Sequence, residues 1–177
     1  PNLFATGAIK EPRLIEFLSN DELVIEDLIA TEPDLIGFPI DINGYLWSLK
    51  IAAGVKARRP DIPIIFGGIH VTMCPDVVIE RPEIDYIAIN EAELSLVELC
   101  DILDGRKEGD PKKVEGIWAR DPDGTIHRNP MRDEHRDLDD FPFFDKGLYY
   151  DKLPGLASEY MTTISRGCPY NCTFCFY

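Results

Sequence analysis

The chain has 177 residues, 45% of them hydrophobic, enough for one domain with a real core or for one domain and part of another. A formal net charge of −14 and a sequence pI of about 4.5 exclude a nucleic-acid footprint, which needs Lys and Arg clustered against phosphates, and argue equally against an anionic membrane surface. No window approaches the roughly twenty apolar residues of a membrane span and no basic-then-apolar leader opens the sequence, so a cytoplasmic protein is expected.

Residues 1–20 carry weak signals: Leu3-Phe4-Ala5 reads as a short strand, and Leu14, Ile15, Phe17 and Leu18 as one face of a helical turn. From Asp21 onwards Leu23, Val24, Leu28 and Ile29 recur at helical spacing, and Pro33 ends the run. Asp34-Leu35-Ile36-Gly37-Phe38-Pro39-Ile40 is a short apolar run bounded by turn residues, the pattern of a strand buried on both faces of a parallel sheet. Residues 45–59 suggest a helix stopped by Pro60, and Pro63-Ile64-Ile65-Phe66-Gly67-Gly68 a second buried strand running into a glycine pair. A helix over 75–80, a strand over 84–89 and a helix over 91–103 stopped by Gly105 follow. This alternation predicts an open, doubly wound parallel α/β sheet with helices on both sides. Ligands of such sheets collect beyond the carboxyl ends of the strands, so residues 39–44, 67–72 and 90–93 are expected to line one edge.

Composition changes after Gly105. Residues 106–113 read as a charged surface connector. Residues 114–120 and 125–128 flank Asp121-Pro122-Asp123-Gly124 and predict a β-hairpin, the Asp-Gly pair supplying the positive φ of its turn. Residues 131–150, acidic and aromatic, read as a linker that packs Phe141, Phe143 and Phe144 onto a neighbouring surface. Glu159-Tyr160-Met161-Thr162-Thr163-Ile164-Ser165 is a last strand, and it leads into a cysteine loop. The paired carboxylates Asp139-Asp140 read as surface charge, and Asn90 with Glu93 as a capping pair for the helix that follows them. No Walker loop, nucleophile elbow or HExxH zinc motif is present.

Three of the five cysteines, Cys168, Cys172 and Cys175, are spaced C-x3-C-x2-C. An odd number of thiols in one short loop asks for a metal, either an iron-sulfur cluster or zinc, since disulfide pairing would leave one over. A zinc site would take its fourth ligand from elsewhere, His135 or His127; such sites more often present C-x2-C pairs, and the sequence has no second pair. Cys74 and Cys100 lie far apart in or beside helical segments and read as buried reduced thiols.

The strand emptying into Arg166-Gly167-Cys168-Pro169-Tyr170-Asn171-Cys172-Thr173-Phe174-Cys175 resembles the radical S-adenosylmethionine enzymes, and it matches their C-x3-C-x-aromatic-C pattern at every defining position. The resemblance implies that Cys168, Cys172 and Cys175 ligate a [4Fe-4S] cluster, with one iron left open to chelate S-adenosylmethionine, whose one-electron reduction yields a 5′-deoxyadenosyl radical. It places Phe174 beside the adenine and Gly167 where the backbone turns sharply into the loop.

The α/β segment upstream is similar to the cobalamin-binding domain, of Rossmann or flavodoxin-like type, found ahead of the radical domain in many such enzymes. Its landmarks are Pro33-Asp34-Leu35-Ile36-Gly37, Gly67-Gly68-Ile69-His70-Val71-Thr72 and Asn90-Glu91-Ala92-Glu93. The resemblance implies that Gly67, Gly68, His70, Thr72, Asn90, Glu91 and Ala92 border the corrinoid and its nucleotide tail, His70 by hydrogen bonding rather than by coordinating cobalt. A bare glycine pair is also what a tight strand-to-helix turn needs. Two stretches depart from the family pattern: Asn90-Glu91-Ala92-Glu93 stands where Gly-Glu-Gly-Glu is usual, and Pro39-Ile40-Asp41 where small hydroxyl residues are common. Either the corrinoid is bound differently, or the fold is kept without it.

The implied organisation is a cobalamin-binding-like α/β domain over 1–105, truncated at its N-terminus, a hairpin and acidic linker over 106–158, and the first strand and cluster loop of a radical α/β barrel over 159–177. A barrel needs on the order of 200 residues, so the chain is expected to be part of a longer enzyme and inactive alone. The expected reaction is methyl transfer or a related radical modification of a small-molecule substrate, with a flavodoxin or ferredoxin as electron donor. The alternatives are a radical enzyme without cobalamin, such as a methylthiotransferase or cyclase, and a non-catalytic module with a structural metal.

Overall fold

The structure, a computed structural model, describes residues 19–133, 135, 137–143, 145–150, 166–167, 170 and 172–173. The chain divides into two compact units, and the one spanning residues 20–135 carries the whole sheet. Helix α1 (Asp21–Ala30) is capped by the Asn20 side chain, which accepts the Glu22 N–H at 3.2 Å, and Asp21 and Glu22 place negative charge in its first turn. Its buried residues are Val24 and Ile25, while Leu23, marked by the periodicity, stays 40% exposed. The phase is set by α2 (Tyr45–Arg58): a Cβ at Gly54 would lie 2.2 Å from Ile25 Cδ1, so the isoleucine fills a notch that only glycine leaves open.

Strands β1 (Ile36–Pro39), β2 (Ile64–Gly67) and β3 (Tyr86–Ala88) pair in parallel, in that order. Strands β4 (Ile117–Arg120) and β5 (Ile126–His127) form the expected hairpin, which adds antiparallel to β3 and makes the sheet mixed. The compositional change after Gly105 therefore marks the end of a helix and not the end of the sheet. Burial on both faces holds for β2; β1, at the sheet edge among the described residues, buries Ile36 but leaves Gly37 and Pro39 exposed. The register puts Ile65, Tyr86, Ala88, Ile117 and Ala119 on one face, where α5 (Glu93–Leu103) packs through Leu99 and Ile102. Phe38, Phe66, Ile87 and Trp118 share the other face. There Arg128 lies over the Trp118 ring, 5.3 Å from its centroid, and donates to Asp76 of α4 (Pro75–Ile79). Helices thus cover both faces, as a doubly wound α/β fold requires.

Two local features depart from expectation. A short helix, α3 (Ile69–Met73), opens directly after Gly68. Helix α5 begins at Glu93 with Ala92 as its N-cap and no side-chain cap bond, so Asn90 and Glu93 do not form the expected capping pair. The reason is conformational: Asn90 sits two residues before the N-cap at φ 65°, in the left-handed region, whereas a capping residue is extended. At the hairpin turn the positive φ, 90°, falls on Gly124 as anticipated.

In the second unit, Asp137 caps the 3-10 turn Leu138–Asp140, Asp145 accepts the Gly147 N–H that opens α6 (Gly147–Tyr150), and Arg166 lies 5.6 Å from the Phe141 ring centroid. Of the three phenylalanines expected to pack, Phe141 is half-buried with this cation over its ring, Phe143 is fully exposed, and Phe144 lies outside the described residues.

At the amino edge of the sheet a half-buried ion pair fixes β2 to β3. Asp85 accepts both the Ile64 N–H (2.7 Å) and the Lys56 ammonium (2.7 Å), and Lys56 also donates to the carbonyls of Ile62 (2.9 Å) and Pro60 (3.3 Å). Removing the carboxylate strands a backbone donor and an ammonium together, so Asp85→Ala should lower the unfolding free energy by about 2–3 kcal/mol in a urea titration.

On α5, Glu98 accepts from Lys107 and Arg132, and these bonds hold its carboxyl below the usual carboxylate value. A depressed folded pKa contributes stability that is present above the unfolded value, about 4.3, and is lost as pH falls through the folded one. Glu98→Gln should therefore melt below the parent at pH 7, and the two melting temperatures should converge as the pH drops below about 4.

Candidate functional site

The carboxyl ends of β1, β2 and β3 bring the three expected loops to one edge. Beyond β1, the Ile40 N–H donates to the Gly67 carbonyl (2.7 Å), and the Ile40 carbonyl accepts the His70 N–H (3.2 Å). Gly68 passes so close that a Cβ there would lie 2.8 Å from the Ile40 oxygen and 3.0 Å from its nitrogen, and its φ of 94° belongs to glycine. Gly67 is different: a Cβ would meet Ala88 Cβ at 3.6 Å, an ordinary contact, so packing does not demand glycine there. Thr72 joins the second loop to the third, its hydroxyl donating to the Gly68 carbonyl (3.2 Å) and accepting the Asn90 N–H (2.9 Å). Ile89 is held in turn by its N–H to the Gly116 carbonyl (2.9 Å), which ties the third loop to the hairpin.

The first loop closes on the Asp41 side chain, whose Oδ1 accepts the N–H of Gly44 three residues on at 2.7 Å, delivering Tyr45 as the first residue of α2. This is the local use of the aspartate in the unusual Pro39-Ile40-Asp41 stretch. Tyr45 packs against His70, ring centroids 4.5 Å apart and 51° between planes, and burial pushes its phenol up. Sequence reasoning missed Tyr45; the signal was an aromatic opening a helix directly after a site loop. Ile42, Leu46, Ile69 and Met73, on or beside the first two loops, are all exposed. The edge therefore combines backbone brought close at Gly68, an aromatic pair and apolar side chains facing solvent. That combination suits a flat, bulky ligand with an apolar body.

Gly67, Gly68, His70, Thr72 and Asn90 all lie on this edge, and Glu91 and Ala92 follow Asn90, with Ala92 also packed against the core beneath α5. Among the described residues no group of three or more His, Cys, Asp or Glu side chains is gathered to hold a metal ion. Cys168, Cys175 and Phe174 lie outside the described residues; Cys172 is described and exposed. Gly167 has the positive φ, 73°, expected at the start of the loop. His127, considered as a zinc ligand, has its Nε2 2.8 Å from Asp121 Oδ2. Cys74 and Cys100 are half-buried rather than fully buried, and burial pushes the Cys100 thiol up, away from thiolate. No helix among the described residues is long and apolar enough to cross a membrane.

Known proteins are similar to this chain in the same region. Residues 7–100 match the B12 binding domain family. The anaerobic magnesium-protoporphyrin IX monomethyl ester cyclase of Rubrivivax gelatinosus is 30% identical over 96% of this chain and 32% of its own length. The cobalamin-dependent radical SAM methyltransferase TokK of Streptomyces tokunonensis is 28% identical over 81% of this chain and 22% of its own length. Among solved structures, the cobalamin-dependent S-adenosylmethionine radical enzyme OxsB with aqua-cobalamin and S-adenosylmethionine bound superposes with a TM-score of 0.53, at 22% identity, over 65% of this chain and 16% of that one, a likeness of fold. The chain thus spans about a third or less of the length of these relatives. With the family's match covering residues 7–100 and the glycine crossing at its carboxyl edge, the chain belongs to the B12-binding domain family, with relatives among the cobalamin-dependent radical SAM methyltransferases.

Proposed function

We propose that the carboxyl edge of the sheet binds cobalamin and that the chain is the cofactor-binding part of a radical S-adenosylmethionine enzyme carrying out methyl transfer or a related radical modification. The observation that carries this reading is the crossing of Gly68 over Ile40, which draws the strand-end loops together at the carboxyl edge. The residues present fit the group. Gly67 carries no side chain at the end of β2, where a planar ring can approach the backbone, and the Tyr45–His70 pair and the apolar side chains of Ile42, Leu46, Ile69 and Met73 offer it an apolar border. Cobalamin, when bound, supplies a cobalt centre able to carry a methyl group.

The chain's own residues hold and orient. Thr72 keeps the second and third loops in register, and the backbone bond from His70 to Ile40 does the same for the first and second. His70, its ring backed by Tyr45, is assigned to hydrogen bonding at the ligand edge. Cys168, Cys172 and Cys175 are assigned as the three ligands of a [4Fe-4S] cluster that binds S-adenosylmethionine, with Phe174 beside the adenine. A small-molecule substrate and a flavodoxin or ferredoxin donor complete the scheme, and the chain alone is expected to be inactive.

Two experiments test this. The purified chain mixed with aquocobalamin should retain the corrinoid absorption through gel filtration. Gly67→Ala, which meets only an ordinary contact, should stay within about 1 kcal/mol of the parent in stability yet bind at least tenfold more weakly, whereas Gly68→Val should lose about 2 kcal/mol or more of stability through its positive φ and backbone clash. Parent chain that elutes colourless, or a Gly67→Ala variant that binds undiminished, counts against the site. For the cluster, anaerobic reconstitution with iron and sulfide should give a brown protein with about four irons, the cubane count; a colourless protein holding one zinc would refute it.

A further inference from the structure

Asn90 is one of two non-glycine residues with positive φ among those described, and the one that lies on the carboxyl edge. Its backbone is fixed from both sides: its own N–H is held by Thr72 Oγ1 at 2.9 Å, and the preceding Ile89 N–H by the Gly116 carbonyl at 2.9 Å. The left-handed turn so formed is one that glycine adopts freely and asparagine better than other side chains. Glycine would therefore serve the turn at least as well. What asparagine adds is a carboxamide, and among the described residues the fold makes no use of it. Helix α5 takes Ala92 as its N-cap without a side-chain bond, and no hydrogen bond among the described residues involves the Asn90 amide. The residue is exposed at the end of β3, one hydrogen bond away from the loop that carries Gly68 and His70.

We propose that Asn90 is a specificity-determining residue of the corrinoid site, its carboxamide hydrogen-bonding one of the propionamide side chains at the periphery of the corrin ring. This rests on the cobalamin reading above and goes beyond it in naming which chemical feature of the ligand is recognised. A corrin bears several propionamide arms, each both donor and acceptor, and a carboxamide on a rigid backbone pairs with such an arm in both senses. The neighbouring Glu91 and Glu93 can only accept when ionised, so they do not duplicate that role.

The test compares the full parent chain with Asn90→Gly and Asn90→Asp, titrated with aquocobalamin and with its three propionamide-hydrolysed monocarboxylic acids. Asn90→Gly keeps the turn and should melt with the parent, yet bind aquocobalamin about three- to tenfold more weakly, the effect of one uncharged hydrogen bond. Asn90→Asp should bind one of the three acids at least tenfold worse, relative to aquocobalamin, than it binds the other two, because a carboxylate then faces a carboxylate at that arm alone. A purely structural role would shift all four ligands together and leave these ratios at the parent's values. Equal ratios in Asn90→Asp, or undiminished binding by Asn90→Gly, overturns the proposal while leaving the cobalamin site standing. A parent chain that binds no aquocobalamin overturns both.

Discussion

The crossing of Gly68 over Ile40 is the constraint on which the carboxyl edge depends. With the would-be Cβ 2.8 Å from a backbone oxygen, two strand-end segments run closer together than any side chain permits. The closeness has consequences on both sides. It lets Ile40 continue the β1–β2 ladder through Gly67 and receive the His70 N–H, so that α3 starts without an intervening loop. It also leaves Thr72, one turn on, placed to reach back to the Gly68 carbonyl and across to Asn90. Three loops that lie apart in the sequence are thereby coupled through a few hydrogen bonds.

The two edges of the sheet are built on different chemistry. At the amino edge, Lys56 and Asp85 tie β2 and β3 together with charge, each also serving backbone groups that would otherwise lack partners. Charge-assisted bonds are strong and specific there because both side chains are only partly exposed. At the carboxyl edge the ties are neutral: backbone amides, one threonine hydroxyl, an aromatic contact. An end tied by charge, and an end whose loops are tied by neutral groups with apolar side chains open to solvent, is the division expected of an α/β sheet that binds a large, mostly uncharged ligand at its strand ends.

Much of the site could be read from the chain itself, and what could not has identifiable causes. The strand and helix order, the hairpin turn at Gly124 and the convergence of the loops around Gly68, His70, Thr72 and Asn90 follow from local patterns, since periodicity and turn chemistry are short-range properties. Leu23 falls within the helical spacing yet stays exposed, because that spacing cannot tell which flank of an apolar stripe faces inward; the notch at Gly54 selects Ile25 instead. The Asn90–Glu93 capping pair fitted a sequence rule, yet Asn90 had another conformational duty, imposed by Thr72 from eighteen residues away. Tyr45 was invisible for the same kind of reason: its partner His70 belongs to a different βα unit.

The sequence by itself determined the α/β class, the glycine pair at a strand end, and the C-x3-C-x2-C spacing of three cysteines, because each is written in neighbouring residues. Only the tertiary structure decided that the hairpin extends the parallel sheet antiparallel to β3, that Gly68 and not Gly67 is the glycine the backbone requires, and that Thr72 and Asn90 form one joint. Those facts depend on register and on approach distances between segments far apart in the chain, and no local pattern encodes a distance between two strand ends.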